Sequence, residues 1–379
     1  MRLALAAGEH SGDRLAAAVL RAMVIEQPEL ETFGLVGPAL RAAGAEALAD
    51  LDQLNVMGLA EVVRHVPRLA RLRRGLAADI IARKPALFAG FDAPDFNLGL
   101  ARRLRRDGIV TAQVVAPSVW AWRRYRIRRI AASLDLLLTL FPFEPELFAG
   151  TGLDARFIGH PLADEMPLEP DRIAARGALG LDAARPVIAL LPGSRPGELA
   201  RHARLLVETV RQLQATAAIQ PCLLLAAEAD RARFVAAAGC DPVDAGIAVY
   251  VERTRTGLIA ADVALAASGT VTLEALLART PMVVFYRLAA TSYRLARALR
   301  LVKSRWISLP NVLADTELVP ERIQQAATPE RLAADALAWL DDSGRRGKFE
   351  EQAEAIHRQL ACNAAGQAAQ ALLERARLR

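Results

Sequence analysis

One pairing recurs along this chain and limits what it can fold into. A short apolar run ends in a turn of Gly, Pro, Ser or Asp, and an Ala/Leu/Arg helical stretch follows. In the first half the apolar runs lie at 2–7, 32–36, 86–90, 110–115 and 134–140. In the second they lie at 187–191, 223–227, 247–251, 263–267 and 283–286. Strands alternating with helices imply parallel sheets with right-handed crossovers. Hydrophobic residues make up 53% of the 379 but aromatics only 5%, so the core must be built from Ala, Leu, Val and Ile. Helices packed on parallel strands suit that supply. The fold class expected is α/β, with two Rossmann-like domains facing a central cleft and a helical C-terminal segment.

A polar, Pro-rich stretch from Gly159-His160-Pro161 to Arg185-Pro186 separates the two series. It places a first domain at 1–165 and a second at 186–330, with 331–379 as C-terminal helices that pack back on the first domain or on a partner subunit. In open parallel sheets ligands bind beyond the carboxyl ends of the strands, so the chemistry is sought in the strand-end turns.

Four turns stand out. Gly193-Ser194-Arg195 offers a close backbone approach, a hydroxyl and a guanidinium fork at a helix start, a set that suits a phosphate. The plain alternative is an ordinary strand-to-helix turn. Ser268-Gly269-Thr270 repeats the arrangement, and Glu274 stands one turn into the next helix, where it could bond a ribose diol. Its plain alternative is a helix cap. Neither turn is a Walker A or a G-x-G-x-x-G motif. Glu9, Ser11, Gly12 and Asp13 form the matching turn of the first domain and suit sugar hydroxyls better than a diphosphate. Asp92 and Asp95, in Asp92-Ala93-Pro94-Asp95, are candidates for general-base work or are simply turn and cap residues.

Other signals exclude classes. Cys222, Cys240 and Cys362 are odd in number and far apart, which argues against disulfides and a cysteine zinc site and fits a reducing cytoplasm. Asp50-Leu51-Asp52 matches D-x-D by chance, and His10, His65, His160, His202 and His357 show no ligand spacing, so no metal or cofactor is assigned. No signal peptide or membrane span is legible. The net charge of +6 favours an anionic partner. A helix expected from Pro67 to about residue 83 carries the stripe Leu69, Leu72, Leu76 and Ile80 among arginines, with Val62, Val63 and Val66 just before it. Such an element lies on an anionic bilayer or faces the core.

Taken in order, these motifs resemble the lipid-A-disaccharide synthases, bacterial glycosyltransferases of the two-Rossmann-domain (GT-B) type. The resemblance runs through the turn at Gly8 to Asp13, Val56-Met57-Gly58-Leu59 with Glu61-Val62, and Asp92 to Asn97. It continues in Pro117-Ser118-Val119-Trp120-Ala121-Trp122-Arg123, Phe141-Pro142-Phe143-Glu144 and Gly159-His160-Pro161-Leu162. The second half adds Leu191 to Arg195, Ser268 to Glu274, Pro281-Met282-Val283-Val284 with Tyr286-Arg287, and Leu309-Pro310-Asn311.

The resemblance implies transfer of the sugar of UDP-2,3-diacylglucosamine to 2,3-diacylglucosamine 1-phosphate (lipid X), with inversion, in lipid A biosynthesis. It implies Asp95 as base with Asp92 as runner-up. It implies a UDP site from Gly193, Ser194, Arg195, Ser268, Gly269, Thr270, Glu274, Arg287 and Asn311, and an acceptor side at Glu9, Ser11, Gly12 and Asp13. Acylated substrates favour a membrane-facing element near 62–80, through Val66, Leu69, Leu72 and Leu76. The expected place is the cytoplasm, at the inner face of the inner membrane, with a homodimer as one form and no nucleic-acid partner. His10, Ala16 and Arg322 depart from the family pattern. The competing readings are another UDP-sugar enzyme, such as a UDP-N-acetylglucosamine 2-epimerase, and a non-catalytic nucleotide-sugar sensor.

Overall fold

A computed structural model describes residues 1–54, 59–120, 124–289 and 305–378, with the backbone alone over 59–66. Motif positions 56–58 and 121–123, and the side chains of Glu61, Val62 and Val66, lie outside the described residues. The chain divides into two compact units, residues 1–164 with 360–379, and residues 165–359.

The first unit is built on a parallel sheet of β1 (Arg2–Ala7), β2 (Glu31–Val36), β3 (Glu46–Asp50), β4 (Leu87–Phe91), β5 (Val110–Val114), β6 (Leu136–Thr139) and β7 (Asp154–Phe157). Its spatial order is β3-β2-β1-β4-β5-β6-β7. Side chains alternate between faces along a strand. Both faces of β1 are buried: Leu3, Leu5 and Ala7 join one core cluster, Ala4 and Ala6 the other. That is why the central strands read as unbroken apolar runs.

The second unit repeats the plan with β8 (Val187–Leu191), β9 (Gln220–Leu225), β10 (Ala248–Val251), β11 (Val263–Ala267), β12 (Met282–Tyr286) and β13 (Glu321–Ile323), in the order β10-β9-β8-β11-β12-β13. Both orders are those of a doubly wound sheet. The strand sequence reverses direction between β1 and β4, and again between β8 and β11.

Three strands escaped the sequence pattern: β3, β7 and β13. Each is an edge strand with half-exposed residues, so it carries no continuous apolar run.

Two expectations need correcting. The helix expected to begin at Pro67 runs Leu59–Arg83 with Pro67 inside it. Proline there removes one intrahelical donor without ending the helix. The membrane-facing stripe also fails at Leu76, which is 3% exposed and packs with Ala77 and Ile80 in the core beside β2 and β4. Leu72 leans on the same cluster, and Leu69 is half-buried.

The C-terminal segment is not one body. Helices Pro329–Asp341 and Ser343–Leu360 lie almost wholly in the second unit, where Trp339 donates to the Met282 carbonyl at 3.1 Å. Helix Ala364–Arg377 belongs to the first unit, where Ala368, Leu372 and Leu373 complete the core around β1.

Candidate active site

In each unit the switch point carries the expected turns. In the first unit, β1 runs into Gly8 and β4 into Asp92. The Gly8 amide donates to the Phe91 carbonyl at 3.1 Å. A Cβ on Gly8 would fall 2.0 Å from that of Ala93, and one on Gly12 2.9 Å from that of Asp92. Only glycine admits this approach of the two turns.

Asp92 and Ala93 are consecutive non-glycine residues at positive φ, 55° and 37°. Each such residue costs on the order of 1 kcal/mol or more and persists only where the surroundings over-determine it. Here Asn97, fully buried, donates through Nδ2 to the carbonyls of Asp92 (2.9 Å), Ala6 (3.2 Å) and Phe91 (3.3 Å). Gln113 Nε2 donates to the Asp92 carbonyl at 3.0 Å. The strained turn presents the half-buried Asp92 carboxylate to Ser11, whose hydroxyl donates to Oδ2 at 3.1 Å.

Asp95 is differently placed. It sits in the first turn of helix Pro94–Arg106 with its side chain 77% exposed and ion-paired to Arg126. Geometry therefore ranks Asp92 above Asp95, the reverse of the order expected from sequence.

Asp13, expected on the acceptor side, has its carboxylate buried and occupied by backbone amides. It is 2% exposed, and its carboxylate accepts the backbone N–H groups of Gly37 (3.0 Å), Ala39 (2.8 Å) and Leu40 (3.1 Å). It caps helix Pro38–Ala42 from the neighbouring helix His10–Glu26, which packs against it. Glu9 and Ser11 remain on the exposed rim of the turn.

In the second unit a cavity of about 300 Å³ opens between the ends of β8 and β11. Seven of the nine expected nucleotide-site residues line it: Gly193, Ser194, Arg195, Ser268, Gly269, Thr270 and Glu274. Gly193 has φ +98°, and a Cβ there would meet Glu198 Oε2 at 2.4 Å. The Arg195 side chain is 81% exposed and, among the described residues, makes a single long contact, 3.3 Å, to Glu198.

Burial raises the pKa of Glu274, with the Arg255 charge opposing and the Glu165 charge adding. Arg287 and Asn311 do not line the cavity. Arg287 spends its guanidinium on the Ala327 carbonyl. Asn311 is fully buried and locks to Val319 in both directions, at 2.8 Å each, and to Glu321 at 3.0 Å. It ties helix Leu309–Ala314 to the chain that leads into β13.

Glu198, which lines the cavity, and Tyr286 and His202, packed with it, were not singled out as site residues. Glu198 accepts from Arg195 N–H at 3.3 Å and from the Tyr286 hydroxyl at 2.9 Å. His202 is fully buried; Arg287 N–H donates to its Nε2 at 3.1 Å, which leaves Nδ1–H to donate to the Pro192 carbonyl at 2.8 Å. Burial lowers its pKa and keeps it neutral in that role. Glu198, three residues past the helix-start residue, carries the acidic half of a capping signal, and that half was available in the sequence. The partners from β12 were not.

The departure at Arg322 has a structural answer, a two-pronged pair with Asp335 at 2.7 and 2.9 Å. Ala16 is a core residue, and His10 is exposed at the helix start. Among the described residues no group of three or more His, Cys, Asp or Glu could hold a metal ion.

Near the ends of β5 and β6, Phe141 and Phe143 stack at 5.8 Å and Trp120 meets Phe143 edge-on. His160, against Phe141, has its pKa pushed down by burial to about 4, and its Nδ1 accepts from Leu162 N–H at 3.1 Å. The unfolded state therefore binds the proton first. Stability from the neutral imidazole is present above pH 6.5 and is lost as pH falls toward 4, by about 3 kcal/mol. Burial pulls Glu144 up to about 8, which acts in the opposite sense but is common to both proteins in a comparison. His160→Gln should then lose less stability than wild type between pH 6.5 and pH 4 in urea unfolding. Equal pH slopes would refute the assignment.

The family model described as lipid-A-disaccharide synthetase matches residues 3–372. The chain is 45% identical over 379 residues to the lipid-A-disaccharide synthase of Azotobacter vinelandii, covering 99% of this chain and 98% of that one. It is 43% identical over 378 residues to the Pseudomonas aeruginosa (strain UCBPP-PA14) protein of the same name, with 99% and 98% covered.

Among solved structures it is similar to MurG of Acinetobacter baumannii (TM-score 0.58, 16% identity, 98% and 99% covered). It is equally similar to WaaG, a glycosyltransferase involved in lipopolysaccharide biosynthesis (0.58, 14%, 98% and 99%). UDP-GlcNAc 2-epimerase from Neisseria meningitidis scores 0.60 at 11% identity, with 99% of each chain covered. Such identities show the fold alone, the GT-B architecture of two Rossmann-like domains, and give the epimerase alternative no special support. On the family match and the full-length relatives at 43–45% identity, the chain belongs to the lipid-A-disaccharide synthase family.

Proposed function

We propose that this enzyme transfers the sugar of UDP-2,3-diacylglucosamine to the 6-hydroxyl of lipid X, giving a β-1,6-linked disaccharide 1-phosphate and UDP. The observation that carries the reading is the placement of glycine-tight turns at both topological switch points, in a chain aligned end to end with synthases of that name. The cavity of the second unit takes UDP. Its turn amides and the exposed Arg195 fork stabilise the departing diphosphate, a charge that other folds neutralise with a metal ion.

In the first unit, Asp92 takes the proton of the acceptor hydroxyl, with Ser11 orienting the carboxylate. A base working directly on the acceptor gives a single displacement, hence inversion at the anomeric carbon. Product analysis tests this: the β-linked disaccharide is expected, and an α-linked product would contradict it.

Arg195→Ala removes a charge-assisted hydrogen bond of about 1.5–3 kcal/mol. UDP affinity measured by calorimetry should fall by roughly tenfold to a hundredfold. Unchanged affinity would take Arg195 out of the site.

No helix among the described residues is long and apolar enough to cross a membrane. The acylated substrates favour an enzyme that works from the bilayer surface on the cytoplasmic side. Among the described stripe residues, Leu69 is the one that is neither buried nor packed on the core cluster, and so the one open to lipid.

A further inference from the structure

The chain's positive charge is concentrated in one segment. Residues 101–135 hold nine arginines against two aspartates, a net of +7, whereas the whole chain nets +6. The fold gathers part of this charge around a cavity of about 580 Å³ in the first unit. Arg105, Arg128, Asp135, the turn Gly150-Thr151-Gly152 and Arg375 line it.

The cavity lies where β5, β6 and β7 begin, at the opposite end of the sheet from Asp92. Arg105 is fully spent there: it pairs with Asp135 at 3.1 Å and donates to the Ala132 carbonyl at 3.1 Å. That bond ties the end of helix Pro94–Arg106 to helix Ile127–Ala131 and so brings Arg128 to the rim. Arg375 arrives from helix Ala364–Arg377. Among the described residues neither Arg128 nor Arg375 has a side-chain partner, and the carboxylate lining the cavity, Asp135, is already taken by Arg105. Two unneutralised guanidinium groups facing one concavity raise the local potential and select an anion. Planar forks suit phosphate oxygens in particular.

We propose that this cavity is a second phosphate-binding site, separate from the reaction centre, that takes the phosphate ester of a small metabolite or of a phospholipid headgroup. It does not depend on the transferase reading. A glycosyl transfer that failed to appear would leave the cavity's chemistry untouched.

The test compares wild type with Arg128→Gln/Arg375→Gln, and with Arg211→Gln/Arg231→Gln as a control of equal charge loss on exposed positions of the second unit. Two probes are used: inorganic phosphate followed by titration, and phosphatidylcholine vesicles with and without phosphatidylglycerol followed by co-sedimentation. Wild type should bind at least one probe. The cavity variant should lose on the order of a hundredfold in affinity for it, the loss of two charge-assisted contacts. The control should keep wild-type affinity within a few-fold.

Binding of phosphate alone assigns a soluble ester. Binding of phosphatidylglycerol vesicles alone assigns a headgroup. Wild type that binds neither probe, a cavity variant that binds as wild type does, or an equal loss in the control each overturn the proposal. Unchanged thermal unfolding of the cavity variant shows that its loss is not one of folding.

Discussion

Asp92→Asn should lower turnover by 10²- to 10⁴-fold, the range of a general-base contribution, while leaving UDP affinity at the wild-type value. The expectation follows from the turn itself. Two consecutive non-glycine residues at positive φ are held there by the side-chain amides of Asn97 and Gln113. The gain from that strain is an aspartate aimed off the end of β4, at the switch point, in contact with Ser11. The matching Asp95→Asn should change turnover by no more than a few-fold, because Asp95 is a largely exposed partner of Arg126. A collapse of activity in the Asp95 variant, with Asp92→Asn near normal, would restore the order read from sequence.

The second large effect is on folding. Asp13→Ala leaves three backbone donors without their acceptor, and two of those three bonds are buried. An orphaned buried donor costs about 1–3 kcal/mol, and the three together roughly 3–5. For a unit of this size that lowers the thermal midpoint by roughly 6–20 °C. Gly37 belongs to the same device, since a Cβ there would lie 2.5 Å from the Asp13 carboxylate. Asp13→Asn, which keeps one acceptor oxygen, should fall between wild type and Asp13→Ala. A midpoint within a degree of wild type for Asp13→Ala would return Asp13 to the acceptor side.

These two aspartates show what was legible in the chain and what was not. Turn positions were legible, because a strand end needs Gly, Pro, Ser or Asp whatever the ligand. That is why the cavity residues Gly193 to Arg195 and Ser268 to Thr270 were found together. The task of each polar residue was not legible, because it depends on partners far along the chain. Asp13 meets residues 24 to 27 positions away, and Asn311 meets Val319 and Glu321. Asp92 and Asp95 look alike in a string; φ, exposure, the Ser11 bond and the Arg126 pair separate them. Leu76 fits a membrane stripe and a core stripe equally well, and packing alone decides for the core. Edge strands such as β3 and β7 lack a second buried face and so lack the run that reveals a central strand.

The activity that joins these sites is lipid-dependent glycosyl transfer from a UDP-sugar. The most direct measurement is UDP release from UDP-2,3-diacylglucosamine, followed with and without lipid X. UDP should appear only when lipid X is present, in step with the disaccharide 1-phosphate. UDP released at the same rate without lipid X, or no UDP from the complete mixture, would contradict it.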